Sequence, residues 1–163
     1  MDPVTHAVTG YVISNALYSK SFKKNEVSLK AFCISTMLAA VSPDIDSVAK
    51  HIGGQTFYFI NHRGITHSLP ALLILAAVCA FLVSLLKRDQ KYKFLFLGAL
   101  AGAFSHVLLD LTNTYSTLAL WPFTNRMFSL NLTSIIDVFI ITIYAITVPI
   151  SFIKPVRNYN RKM

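Results

Sequence analysis

His62–Leu86 reads HRGITHSLPALLILAAVCAFLVSLL. The run Leu69–Leu86 carries no charge, and at about 1.5 Å per helical residue it is long enough to cross a hydrocarbon core of about 30 Å. Two histidines and an arginine stand immediately before it.

Two more runs, Phe94–Leu111 and Ile135–Ile153, have comparable length. Val4–Tyr18 and Leu29–Val41 are also apolar, but as helices they reach only about 20 Å. They either cross a thinned bilayer, tilt as a partly inserted hairpin, or lean on the other helices. Hydrophobic residues make up 54 % of the 163-residue chain and charged ones 13 %, against about 25 % charged in soluble domains. The expected fold is therefore all-α: a polytopic helical membrane protein in one domain, residues 1–163, with three helices of spanning length and up to five membrane helices.

The start, Met1-Asp2-Pro3, has neither a basic n-region nor a small-residue cleavage pattern. It predicts instead a helix start, with proline where its missing N–H costs nothing. Cys33 and Cys79 lie inside apolar runs without Cys-x-x-Cys spacing, which suggests packing roles and neither a disulfide framework nor a thiolate zinc knuckle.

The net charge of +8 does not point to nucleic acid, because the charges alternate along the chain. Lys20, Lys23, Lys24 and Lys30 precede or open the second run, Lys87, Arg88, Lys91 and Lys93 follow the third, and Lys154, Arg157, Arg161 and Lys162 close the chain. The intervening connections carry only Lys50, Arg63 and Arg126. The positive-inside rule then puts the basic connections and the C-terminus in the cytoplasm.

The same topology sends the ionisable residues of the apolar regions to the opposite, extracytoplasmic end. These are His6, Asp44 and Asp46 in SPDID, His62 and His67, His106 and Asp110, and Asp137. Such groups are costly at membrane depth and mark functional sites. His106-x-x-x-Asp110 places imidazole and carboxylate on one helical face, suited to holding one cation or to a carboxylate orienting the imidazole. One SPDID aspartate is expected to be a ligand and the other a cap or support, with the choice open. His67 is the expected ligand of its loop; His62 is a ligand, proton shuttle or surface residue. Arg63 has a fork suited to phosphate oxygens, or to a headgroup boundary. His51 reads as a solvated loop residue, and Asp137 as a functional group or a helix cap. Tyr58, Phe57, Phe59, Tyr115, Trp121 and Phe123 read as interfacial aromatic anchors.

Nitrogen and oxygen donors without thiolate suit a divalent metal, zinc first and manganese second, as one or two ions. No Gly-x-Ser-x-Gly elbow is present.

In order, PVTHAVTG, SPDID, HRGITHSL, SHVLLDLTNTYS and LWPF resemble the YdjM-type membrane-bound metal-dependent hydrolases, described as LexA-binding, inner-membrane-associated proteins. The resemblance runs from about His6 to Asp137. It implies a helical protein of the bacterial inner membrane with a metal site. The set is also similar, more distantly, to the zinc-dependent phospholipase C and single-strand nuclease group. That similarity implies His6, Asp44 or Asp46, His67, His106 and Asp110 as ligands. The group's later His-rich motif has no counterpart, since no histidine follows His106.

The function expected is a membrane-bound metal-dependent hydrolase of a phosphoester, lipid or lipid-linked, at the extracytoplasmic face. His62 would shuttle a proton and Arg63 would hold phosphate. The alternative is a non-enzymatic metal or ion carrier, or a membrane scaffold, using the same polar cluster.

Overall fold

The computed structural model describes residues 1–18, 27–48, 53–55 and 62–153, with side chains to 149. His51, Lys20, Lys23, Lys24, Lys50, Phe57, Tyr58, Phe59 and the basic tail from Lys154 lie outside the described residues. Five α-helices dominate: α1 (Pro3–Leu17), α2 (Leu29–Val41), α3 (Leu69–Leu86), α4 (Tyr92–Thr112) and α5 (Val138–Ile153). Among the described residues there are isolated β-bridges but no strand.

Local chemistry sets the boundaries. Asp2 caps α1 by accepting from the Thr5 N–H at 3.0 Å, with Pro3 at the helix start, as the sequence predicts. Pro43 removes an amide donor where α2 ends, and the chain tightens into a 3₁₀ turn over Ser42–Val48. A second 3₁₀ turn, Ile65–His67, leads through the Ser68 cap into α3.

Two sequence expectations are corrected by these ends. The last helix begins at Val138, not Ile135, because Asp137 Oδ1 accepts from the Phe139 and Ile140 N–H groups at 3.0 and 3.1 Å. This geometry makes Asp137 a helix cap. The 3₁₀ turn extends the α2 region, so the three stretches long and apolar enough to cross a membrane are Leu29–Val48, Leu69–Leu86 and Tyr92–Thr112. The last run, expected among the three, is a shorter apolar helix within the described residues.

The core is rich in alanine: Ala31, Ala39, Ala76, Ala80, Ala99 and Ala103 are buried with Leu72, Val83 and Leu95. On α3, Leu72, Ala76, Ala80 and Val83 face inward while Ile74, Phe81 and Leu85 are exposed. Small residues inside and large apolar ones outside suit a lipid solvent, where close backbone approach drives helix association.

Glycines bring the helices unusually close. A Cβ on Gly102 would stand 2.1 Å from the Thr36 carbonyl oxygen of α2, and one on Gly10 of α1 2.9 Å from the Ala40 Cβ. Gly98 meets Phe32 and Thr36 in the same way, each at 2.7 Å. Gly98, Gly102, His106 and Asp110 recur every four residues, so the close-packing stripe of α4 leads directly to its polar pair.

At the opposite end, the Ser28 N–H donates to Gln90 Oε1 at 2.5 Å. That bond ties the start of α2, with Lys30, to the connection bearing Lys87, Arg88 and Lys91. The described basic residues named above therefore gather at one end, apart from Arg63 and Arg126, whereas His6, Asp44, Asp46, His62, His67, His106 and Asp110 lie at the other.

Candidate metal centre

α1 supplies His6, the turn after α2 supplies Asp44 and Asp46, the turn before α3 supplies His67, and α4 supplies His106 and Asp110. His6, His67, His106 and Asp110 are fully buried. His67, His106 and Asp110 each present a ligand-type atom within 4.8 Å of the others.

Four atoms converge: His67 Nε2, His106 Nε2, Asp110 Oδ2 and Asp44 Oδ1. His67 Nε2 lies 3.1 Å from His106 Nε2. Asp110 Oδ2 lies 3.3 Å from the first and 3.2 Å from the second, and Asp44 Oδ1 3.6 and 3.7 Å from them. Donors arranged tetrahedrally around zinc at about 2.0–2.1 Å stand about 3.3–3.4 Å apart. The five separations involving a histidine nitrogen bracket that spacing.

The hydrogen bonds behind the rings settle their tautomers. His106 Nδ1 is 2.7 Å from the Ala40 carbonyl oxygen; a carbonyl only accepts, so Nδ1 carries the proton and Nε2 presents its lone pair. Thr66 Oγ1 donates to Asp46 Oδ2 at 3.0 Å, which leaves the hydroxyl oxygen to accept from His67 Nδ1 at 3.0 Å. His67 Nε2 therefore also faces inward, and presents a lone pair there whenever the ring is neutral. Nitrogen and carboxylate oxygen atoms facing one point are suited to a cation between them. Burial opposes a charge on His67, but the Asp110 and Asp44 carboxylates beside it, with the charges of Asp110 and Asp46, raise its pKa above the ordinary 6.5.

The SPDID aspartates separate into distinct positions. Asp44 borders the point of convergence, and its Oδ2 is buried without a hydrogen-bond partner among the described residues. Asp46 accepts from the Arg63 N–H and Thr66 hydroxyl through Oδ2 and pairs with His62 Nδ1 through Oδ1 at 2.8 Å. These bonds tie it to the loop and, through Thr66, to His67, and with Asp44 and His62 it also forms a group whose ligand-type atoms lie within 4.8 Å of one another. His62 is partly exposed at the outer edge of this network, with its ring centroid 5.8 Å from that of His67.

Arg63 is buried. Its Nη1 donates to the Tyr115 carbonyl at 2.6 Å and its Nη2 pairs with Asp110 Oδ1 at 3.0 Å. The backbone at Arg63 adopts φ 60°, a left-handed conformation that turns the side chain inward. Asp110 Oδ1 also pairs with the Met1 ammonium and lies 3.3 Å from His6 Nε2. His6 stacks on His106 with ring centroids 3.7 Å apart, and neither of its ring nitrogens has a geometrically sound hydrogen bond among the described residues. Asp110 thus turns one oxygen toward the histidine pair and the other toward positive groups.

Sequence reasoning missed several participants. The carbonyls of Ala40 and Tyr115 carry no residue-type signal. Thr66 is not a ligand-type residue, although its hydroxyl bonds both Asp46 and His67. The Gly98-x-x-x-Gly102 spacing was a readable sign of close helix approach.

The fold and this buried histidine–aspartate cluster define an all-α membrane protein with a potential metal centre. The chain matches the model of the YdjM inner membrane protein family over residues 1–162 and belongs to that family. It is 32 % identical over 141 residues to the "Uncharacterized protein YfhP" of Bacillus subtilis (strain 168), an alignment covering 86 % of this chain and 43 % of that protein. The chain thus spans less than half the length of that relative. No solved structure matches it.

Proposed function

We propose that this protein is a metal-dependent hydrolase of the inner membrane, acting on a lipid or lipid-linked phosphoester at the extracytoplasmic face. The observation that carries the reading is the convergence of His67 Nε2, His106 Nε2 and Asp110 Oδ2 at 3.1–3.3 Å, with both ring tautomers set by hydrogen bonds behind them.

Two histidines and one carboxylate match the three-ligand pattern of catalytic zinc, which keeps a further position open. Asp44, farther away and 12 % exposed, borders that position and would accept a proton from an attacking water. Zinc is the first expectation and manganese the second. One ion is favoured, since Arg63 and the Met1 ammonium already compensate the outer oxygen of Asp110. A divalent ion there would polarise a phosphoryl oxygen and acidify a water.

The protein's own groups divide the remaining work. Arg63, expected from sequence to hold phosphate, pairs through Nη1 with the Tyr115 carbonyl and through Nη2 with Asp110, which supports a part in positioning Asp110. His62, at the exposed end of the Asp46 network, is placed to exchange protons with solvent. The alternation of basic connections supports a multi-pass topology with the C-terminus in the cytoplasm.

Metal analysis of purified protein, followed by a phosphoester panel on wild type and His106→Ala, tests the reading. Stoichiometric zinc or manganese that is lost in His106→Ala with Asp110→Ala supports the centre. A metal-free wild type, or metal content unchanged in that double variant, refutes it. Metal movement across proteoliposomes without turnover would favour the carrier alternative.

A further inference from the structure

Between α4 and α5 the chain runs through 120–136 without a helix, yet its surface is greasy. Phe123 is 85 % exposed and Leu132 72 %, and Met127, Leu130 and Ile136 are also exposed. Arg126 is the single charged side chain between Asp110 and Asp137.

Its depth is set by hydrogen bonds to a membrane-length helix. The Leu130 N–H donates to the Leu111 carbonyl at 2.7 Å, and the Leu132 and Thr133 N–H groups donate to the Thr112 carbonyl at 2.8 and 3.0 Å. Thr112 is the last residue of the candidate span Tyr92–Thr112. The segment is therefore held at the level where α4 leaves the hydrocarbon.

Irregular backbone is not tolerated against the hydrocarbon core, where its polar groups find no partners. A contiguous apolar surface is equally unfavourable in water. The boundary between headgroups and acyl chains accommodates both, and aromatic residues such as Trp121 and Phe123 concentrate there.

We propose that 120–136 is an interfacial platform whose exposed apolar side chains sit among the upper acyl segments and headgroups of the bilayer. The platform is continuous with the metal centre: the Thr117 N–H and the Phe128 carbonyl, and the reverse pair, bond at 2.9 Å, and the Tyr115 carbonyl just before them holds Arg63. Lipid contact at the platform thus bears on the strand of chain that positions Arg63 and Asp110. The inference rests on the membrane reading of the fold and is independent of hydrolysis.

Trp121 is the only tryptophan in the chain, so its emission reports on the platform alone. The full-length protein is reconstituted in phosphatidylcholine vesicles whose acyl chains are brominated near the headgroup, or near the chain end, or not at all. The result expected is the largest loss of emission with bromines near the headgroup and little loss with aqueous iodide. Strongest quenching by chain-end bromines, or quenching by iodide alone, overturns the proposal; the second outcome would place the platform in water. Phe123→Asp combined with Leu132→Asp should shift the emission to the red and transfer quenching from bromine to iodide. Unchanged emission and quenching in that variant also overturn the proposal.

Discussion

Gly102→Ala tests whether the approach of α2 and α4 sets the metal affinity. The new Cβ would lie 2.1 Å from the Thr36 carbonyl oxygen and 3.0 Å from its carbon. Ordinary carbon–oxygen contacts begin at about 3.3 Å, so the helices must part locally by about 1 Å. Both contacts are backbone of α2, so no flexible side chain can yield. One turn further along α4, His106 Nδ1 holds the Ala40 carbonyl at 2.7 Å; opened by a similar amount, that pair passes beyond hydrogen-bond reach. Loss of a partner behind a metal-bound imidazole lowers metal affinity by about 10–100-fold. The overpacking itself costs about 1–3 kcal/mol. The assay is chelator competition for zinc in detergent, with thermal unfolding of each variant as a measure of packing. Gly98→Ala serves as comparison, since its new Cβ meets the Phe32 and Thr36 side chains at 2.7 Å rather than the α2 backbone. A folded Gly102→Ala protein with wild-type zinc affinity would refute the link between the glycine stripe and the centre.

Three other outcomes are expected. Asp137→Ala removes a cap that accepts two N–H groups and should lower stability by about 1 kcal/mol, measured by unfolding, while metal content stays at the wild-type level; a loss of metal would place Asp137 in the centre. Metal uptake must displace a proton from His67, whose pKa in the metal-free protein is raised above 6.5, so affinity should start to fall at a pH above 6.5 and keep falling in more acid solution. In the metal-free protein that same proton stabilises the fold fully below about 6.5 and the contribution disappears as pH rises through the raised value; pH-dependent unfolding with and without chelator checks both signs. Reporter fusions after Asn113 and after Lys162 should report the extracytoplasmic side and the cytoplasm respectively, and a cytoplasmic signal at Asn113 would reverse the compartment of the site.

Hydropathy by itself determined that the chain is helical and belongs in lipid, because the length and polarity of a run are local properties that a bilayer reads directly. The donor types were equally legible: histidines and aspartates interrupting apolar runs stand out, and the His106/Asp110 spacing fixes a common face before any tertiary contact forms. Asp2 and Pro3 announced the start of α1 for the same local reason.

Only the tertiary structure shows that Asp44 and Asp46 have different neighbours. They sit two residues apart in one turn, and their positions follow from whether His67 and His106 or the loop at His62–Thr66 packs against each. It also turned Arg63 inward, since a left-handed residue and a distant carbonyl at Tyr115 leave no mark on residue type. The last helix begins at Val138 because an aspartate carboxylate outcompetes apolar continuity for the first free amides. The inward lone pairs of His67 and His106 depend on acceptors supplied by Thr66 and by a carbonyl on another helix. Hydrophobic pattern chooses the solvent and the helices, whereas directional bonds between residues far apart in the chain decide where each ligand atom points.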